Sequence, residues 1–329
     1  MTRGCTDLDD PVAAARRLAD EVLWPAALDV DGAPVVPRHL LDLLADAGLY
    51  GVAARAPQAY PAVAEALAGG SLATAFVWVQ HHSTVRAVAA AGGDVAQRWL
   101  DDLCDGRVRS GIAVAALRRP GPPSMVATAA PGGGVTLDGW APWVTGWGLI
   151  DVVMVAARQG DDLVTCLVDA VEAPGLAVQQ VRLAAVDASS TVLVRCGGLT
   201  VGADRVVGRV PYSEWRAGDA RGLAGNGLLG LGVAARCAHL LDSLALTADV
   251  DRLRGLLLAA GPDEVVGVRA DIALLALRAA TAVVARGGGA SVETGSHAQR
   301  LLREAMFLVV FGQTAAIRAA QLTRLGVGG

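Results

Sequence analysis

From Pro11 to Gly106 the apolar residues recur at three- and four-residue steps, the spacing of helices with one buried face. Asp10 before Pro11 supplies a cap followed by proline at the first helical position, and predicts a helix over residues 12–23 that Pro25 interrupts. A second helix opens near Pro37, carries Leu40, Leu41, Leu43 and Leu44, and is closed by Gly48. A third covers residues 60–68. The fourth and longest starts at Ser71, with Leu72, Phe76, Val79, His82 and Val85 on one stripe. A short fifth begins at Asp94, passes through Trp99 and Leu103, and ends at Asp105-Gly106.

The pattern then changes. Short apolar or alternating runs at residues 111–116, 134–137, 151–157, 163–168 and 190–194, punctuated by Gly, Pro and Asp, predict strands. Helical spacing returns beyond Glu214: one long helix over 223–246, a second over 265–284 after Asp263 and stopped by Gly287-Gly288-Gly289, and a last one over 296–325. Gly225, Gly227, Gly230 and Gly232 lower the helix propensity of the first, so its backbone is expected to lie close to a ligand or a partner helix. The chain therefore divides into a helical part (1–108), a β part (109–213) and a second helical part (214–329), an α+β organisation.

With 53% hydrophobic and 18% charged residues over 329 positions, the sequence can bury a large core and is not disordered. A formal charge of −4 gives no footprint for nucleic acid. The absence of lysine excludes a P-loop lysine and a Schiff-base nucleophile. Cys5, Cys104, Cys166, Cys196 and Cys237 are scattered and show no C-x-x-C spacing, which points to a reducing compartment and away from zinc. No apolar leader follows the N-terminus and no run of about 20 apolar residues occurs; the uncharged run over 120–137 is broken by Pro and Gly. A soluble cytoplasmic protein is expected, with no membrane, metal or nucleic-acid partner.

Three of the seven tryptophans fall in one stretch, Gly139-Trp140-Ala141-Pro142-Trp143-Val144-Thr145-Gly146-Trp147-Gly148-Leu149-Ile150-Asp151, followed by a valine-rich run to Arg158. By pattern alone this is a β-hairpin whose indoles fill a core. Its order of residues also resembles the flavin-contacting hairpin of the acyl-CoA dehydrogenase family. That resemblance implies FAD, with Trp143, Val144 and Thr145 at the cofactor: the indole beside the isoalloxazine ring and the Thr hydroxyl near its N5 edge. The order helical, β, helical suits the family, as does Gly48-Leu49-Tyr50-Gly51-Val52. Near the C-terminus, Arg300-Leu301-Leu302-Arg303-Glu304-Ala305 and Phe311-Gly312-Gln313-Thr314 extend the resemblance, which implies that Thr314 helps hold FAD. Gly312 stands where the family's catalytic Glu is found, and the alternative base location falls near Gly225 and Asn226, so no base is assigned. Glu304 reads as a surface carboxylate near Arg300 and Arg303.

Other family segments are lost. Arg118-Arg119-Pro120-Gly121-Pro122-Pro123-Ser124 replaces the usual Thr-Glu-Pro and Gly-Ser-Asp, Arg252-Leu253-Arg254-Gly255 only weakly echoes Arg-x-x-Phe-Gly, and the final bundle is one helix short. Arg118 and Arg119 are either a solvated pair or a guanidinium clamp for the phosphates of coenzyme A or of the dinucleotide. His81 and His82 point about 100° apart on their helix and cannot chelate one metal. They are packed imidazoles, or, as the resemblance implies for His82, a polar contact in the acyl pocket. The expected function is FAD-dependent α,β-desaturation of an acyl-CoA, in an oligomer whose related subunit supplies the missing carboxylate. Flavin-dependent monooxygenation, or a structural role without flavin, are the alternatives.

Overall fold

The first helical block is built as its spacing predicts in the computed structural model, which describes residues 10–118 and 121–327, the side chains of Ala220, Arg221 and Leu223 aside. Helix α1 (Pro11–Leu18) is capped by Asp10, whose carboxylate accepts from the Val12 N–H at 3.0 Å. The expected stop at Pro25 does not occur. A π-helical turn over Ala19–Leu23 leads directly into α2 (Trp24–Gly32). Such a widened turn absorbs the missing N–H and the ring bulk that would break a regular helix. Helix α3 (Arg38–Asp46) ends at Gly48, which adopts φ 70°; a short α4 (Val52–Arg55) follows. Then come α5 (Tyr60–Gly70), α6 (Leu72–Ala91, with the Ser71 hydroxyl accepting from Thr74 N–H) and α7 (Gly93–Cys104).

Eight strands form one sheet: β1 (Ser110–Ala113), β2 (Met125–Ala129), β3 (Val135–Val144), β4 (Val152–Gln159), β5 (Asp162–Asp169), β6 (Leu176–Gln180), β7 (Val192–Val201) and β8 (Val206–Pro211). Their order is β6-β7-β3-β2-β4-β5-β8, with β1 running parallel to β4. The expected hairpin over residues 139–158 is not one. β3 pairs with β2 and β7, and β4 with β1, β2 and β5, so the two strands are sheet members with β2 between them. Gly146 (φ 91°) and Gly148 (φ 82°) turn the chain in the crossing between them. Strands β2, β6 and β8 escaped the sequence pattern. β2 hides in the proline- and glycine-broken run, and β6 and β8 lie at the ends of the strand order, where few residues are buried.

Helix α8 (Tyr212–Leu240) starts earlier and stops sooner than its periodicity suggests. Asp242 takes φ 50°, and Ser243 caps a separate α9 (Leu244–Ala259). After α10 (Val265–Gly287), the expected final helix is two, α11 (His297–Val310) and α12 (Ala315–Arg324), parted at Gly312 with φ 58°.

The glycines of α8 serve helix packing. A Cβ at Gly232 would lie less than 3.0 Å from the Glu65 carbonyl oxygen and 2.9 Å from Ala68 Cβ on α5; one at Gly230 would meet Ile272 of α10 at 2.7 Å. One apolar core therefore runs through both helical blocks, with Leu67, Trp78, Leu229, Leu231, Ala276 and Leu301 in it, while the sheet carries its own.

Glu304 is not on the surface. It is 4% exposed and paired at 2.5 Å with Arg300, itself 2% exposed, whose guanidinium lies over the Trp24 ring. The i,i+4 spacing was legible in the sequence; the apolar neighbours that bury the pair were not. No described helix is long and apolar enough to cross a membrane, and among the described residues no three His, Cys, Asp or Glu side chains could hold a metal ion.

Candidate functional site

Along the tryptophan-rich stretch only one of the three expected cofactor residues reaches the surface. Trp143 is 49% exposed, whereas Val144 and Thr145 are buried. The pairing of β3 with β7 slips between Ala141 and Val144, and Trp143 takes φ 63° within that irregularity. A bulge of this kind re-aims a side chain and holds the backbone in a sparsely populated state. The Thr145 hydroxyl shares a hydrogen bond with that of Thr191 at 3.3 Å, and Thr191 shares another with Ser189 at 3.0 Å. An exposed indole suits the face of a planar ring. The Thr145 hydroxyl is buried and hydrogen-bonded within the chain.

The two positions at which the resemblance would place a base, Gly312 and the Gly225-Asn226 segment, lie together. A Cβ at Gly312 would come within 3.0 Å of the Asn226 amide nitrogen, so the α11–α12 turn and the α8 glycine segment meet at this point. The turn is fixed by Arg269, which donates to the Phe311 carbonyl at 2.9 Å. Burial, with Arg118 nearby, lowers the Arg269 pKa to about 10. Phe311 and Phe307 pack on the Phe76 ring of α6. Thr314 caps α12, its hydroxyl oxygen accepting from Ile317 N–H at 3.2 Å. Arg118 is held by Asp219 of α8 through two bonds of 2.7 Å, so its charge is balanced within the chain. Arg119 lies outside the described residues. Close by, the Ser124 hydroxyl and Arg158 Nε, both buried without a hydrogen-bond partner, belong to residues bordering a recess of about 30 Å³.

A larger cavity of about 490 Å³ opens where α5, α6, α8 and the α9–α10 connection meet, with Tyr60, Arg86, Gly225, Leu228, Leu257 and Val265 in its wall. Its size falls in the usual range for small-molecule sites, roughly 300–1,000 Å³. His82 does not line this cavity but packs on Tyr60, which does. It is fully buried, its ring centroid 5.1 Å from that of Tyr60 and 4.1 Å from that of Trp78, and neither nitrogen has a hydrogen-bond partner. Burial, then the charges of His81 and Arg86, hold its pKa well below the usual value. His81 accepts from Ser110 N–H at Nδ1 (3.1 Å), and its Nε2–H donates to the Leu103 carbonyl (3.0 Å). Burial takes its pKa down to about 3. His81 thus ties α6 to β1 and α7 as a neutral imidazole.

No protein-family model matches the sequence, and no curated protein matches it either. Solved structures do match its shape. Butyryl-CoA dehydrogenase from Megasphaera elsdenii shares 16% identity at a TM-score of 0.80, over 99% of this chain and 100% of that one. Glutaryl-CoA dehydrogenase from Mycobacterium smegmatis in complex with FADH2 gives 15% and 0.79, over 98% of this chain and 95% of that one. The chain has the acyl-CoA dehydrogenase fold. The same fold is seen in PigA with FAD and proline (18% identity, TM-score 0.77, 100% of both chains) and in dibenzothiophene monooxygenase from Paenibacillus sp. A11-2 (16%, 0.75, 96% of this chain and 97% of that one).

Within the acyl-CoA dehydrogenase fold the expected helical, β, helical order stands. Sequence reasoning missed Tyr60 and Arg86 in the cavity wall, because they lie on two different helices and only the antiparallel packing of α5 on α6 brings them together.

Proposed function

We propose that this chain is an FAD-binding, acyl-CoA-handling subunit of the acyl-CoA dehydrogenase fold that lacks its own catalytic base and works in an oligomer with a related subunit. The observation that carries this reading is the meeting of Gly312 and Asn226, both base positions, with no carboxylate at either, near an apolar cavity lined by Gly225. α,β-Desaturation removes a proton from the carbon beside a thioester, and FAD, when bound, supplies the hydride acceptor. A positioned carboxylate contributes about 10²–10⁴ to such a proton transfer, so a sister subunit has to provide it.

In this chain Trp143, exposed at the bulge, would hold the flavin ring together with the backbone of residues 143–145. Thr145 fixes the bulge from behind through Thr191, and Thr314, which caps α12, would help hold the cofactor there. The unpartnered Ser124 hydroxyl and Arg158 Nε suit a phosphate oxygen. Leu244 (85% exposed), Leu258 and Val310 (60% each) supply apolar surface for subunit contacts. A second reading, flavin-dependent monooxygenation, is favoured by the same missing carboxylate, since oxygen activation on reduced flavin needs no α-proton base.

The deciding experiment is a visible spectrum of the protein purified alone and co-expressed with a full-length relative of the same fold, followed by acyl-CoA turnover of Asn226→Glu. Asn226 lies within helix α8, a backbone Glu readily adopts, whereas Gly312→Glu combines a left-handed backbone with a clash against Asn226. Flavin absorbance with turnover gained by Asn226→Glu supports the desaturase reading. Flavin absorbance with no gain towards any acyl-CoA, with or without a partner, transfers support to the monooxygenase reading. No flavin under either condition rejects both.

A further inference from the structure

Among the described residues, one charged side chain lies in the wall of the cavity between α5, α6, α8 and α9. Arg86 stands there beside Tyr60, Pro61, glycines, alanine, leucines, proline and valine. Its guanidinium carbon is 4.8 Å from the Tyr60 ring centroid, stacked over the aromatic face. It forms no ion pair with any described carboxylate. The nearby acidic residue of α5, Glu65, is taken at both oxygens by Arg254. By contrast, Arg118, Arg236, Arg254 and Arg300 at other helix contacts each hold a carboxylate.

We infer that the cavity takes an apolar chain ending in a carboxylate, the chain lying along the glycine face of α8 and the carboxylate meeting Arg86 and the Tyr60 hydroxyl. Three properties lead to this occupant. Among the described residues the walls offer hydrogen-bonding side chains only at Tyr60 and Arg86, so a ligand polar along its length would lose hydration there. A Cβ at Gly225 would meet nothing within 4 Å, so the α8 backbone is open to close approach by an alkyl chain. The planar guanidinium, steadied on an aromatic face, matches a carboxylate with two parallel bonds. The exposed Arg86 head keeps its charge hydrated until the ligand arrives, and Tyr60, 8% exposed, supplies a second polar contact at the same end. Under the proposed function, on which this last step alone rests, the occupant is an acyl group with a carboxylate at the end remote from the thioester.

The test needs neither flavin nor coenzyme A, so its failure is separable from failure of that function. Binding of octanoate and of 1-octanol to the purified chain is measured by isothermal titration calorimetry, at low and at high salt. Octanoate is expected to bind at least about 10-fold more tightly than octanol, as a charge-assisted contact implies, and to weaken with salt. Arg86→Met should remove the preference and Arg86→Lys should keep part of it. Gly225→Leu, which fills the cavity from an open helix position, should abolish binding of both probes; this separates occupancy of the cavity from adsorption at a surface arginine. Equal affinity for octanoate and octanol, an undiminished preference in Arg86→Met, unchanged octanoate binding in Gly225→Leu, or no octanoate binding at all would each overturn the inference. A suberyl-CoA versus octanoyl-CoA competition then addresses the thioester step by itself. Preference for suberyl-CoA supports an ω-carboxyacyl substrate, and equal binding rejects it.

Discussion

Gly232→Ala is the sharpest probe of how the two helical blocks are joined. The added methyl would sit less than 3.0 Å from the Glu65 carbonyl oxygen, 2.9 Å from Ala68 Cβ and 3.0 Å from the Gly69 amide nitrogen. Two of these three atoms are main chain of α5, so no rotamer change relieves the clash and the helices must part. Parting them also strains the bond from Arg236 Nε to the Gly69 carbonyl, now 2.8 Å. Overpacking of this kind costs about 1–3 kcal/mol, and the main-chain obstacle puts the site at the upper end. Replacing helical Gly by Ala returns roughly 0.8–1 kcal/mol of propensity. The net expectation is a loss of about 2 kcal/mol. Gly225→Ala on the same helix meets nothing within 4 Å and should gain up to about 1 kcal/mol. Thermal unfolding by circular dichroism reads both: at a few degrees per kcal/mol for a large domain, Gly232→Ala should melt roughly 4–8 °C lower and Gly225→Ala slightly higher. A Gly232→Ala protein melting at or above the parent, or two variants shifting together, would refute the close α5–α8 crossing.

Three further outcomes are expected. His81, lowered from 6.5 to about 3 by burial, is neutral in the fold, so its contribution is complete above pH 6.5 and is lost as pH falls towards 3 while the unfolded chain takes up protons; His82 acts in the same direction. The melting temperature should therefore drop between about pH 7 and 5, and less so in His82→Phe; parallel pH curves for the two proteins would contradict this. Arg300→Met strands the buried Glu304 carboxylate and should cost about 3–5 kcal/mol, most of it restored in Arg300→Met/Glu304→Leu, as denaturant titration would show. If flavin is held as proposed, Trp143→Ala should reduce flavin retention with little change in melting, whereas Thr145→Val should chiefly lower stability by about 1 kcal/mol through the lost Thr191 bond; equal flavin loss in both would show Thr145 at the cofactor instead.

Much of this architecture was legible because it is local. Asp10 before Pro11, Ser71 before Leu72 and Gly48 after α3 marked helix ends by chemistry that acts within a few residues. The errors have the opposite character. Pro25 failed as a stop because a π turn upstream absorbed it, which no apolar period announces. Residues 139–158 read as a hairpin because their runs are adjacent in sequence, while the strand lying between them, β2, comes from a stretch that proline and glycine disguise. At the candidate site the sequence marked Gly312 and the Gly225-Asn226 segment, and folding brought Gly312 against Asn226. The slip of β3 against β7, which no local pattern announces, leaves Trp143 exposed and Thr145 buried. Arg86 and Tyr60 could not be paired from the sequence, since nothing local links them.

The crossing of α5 and α8 also sets an order of events in synthesis. Gly69 and Arg236, bonded across it, are 167 residues apart, with the entire sheet between them. Until α8 leaves the ribosome the amino-terminal helices have no partner for the α5 groove, and their apolar faces must wait while the strands pair. Contacts of such long sequence separation form late and slowly, and a waiting helical block of this composition is a natural client for chaperones that shield apolar surface. Folding yield of the full chain should therefore depend on how quickly translation delivers α8, more than on the stability of the finished protein.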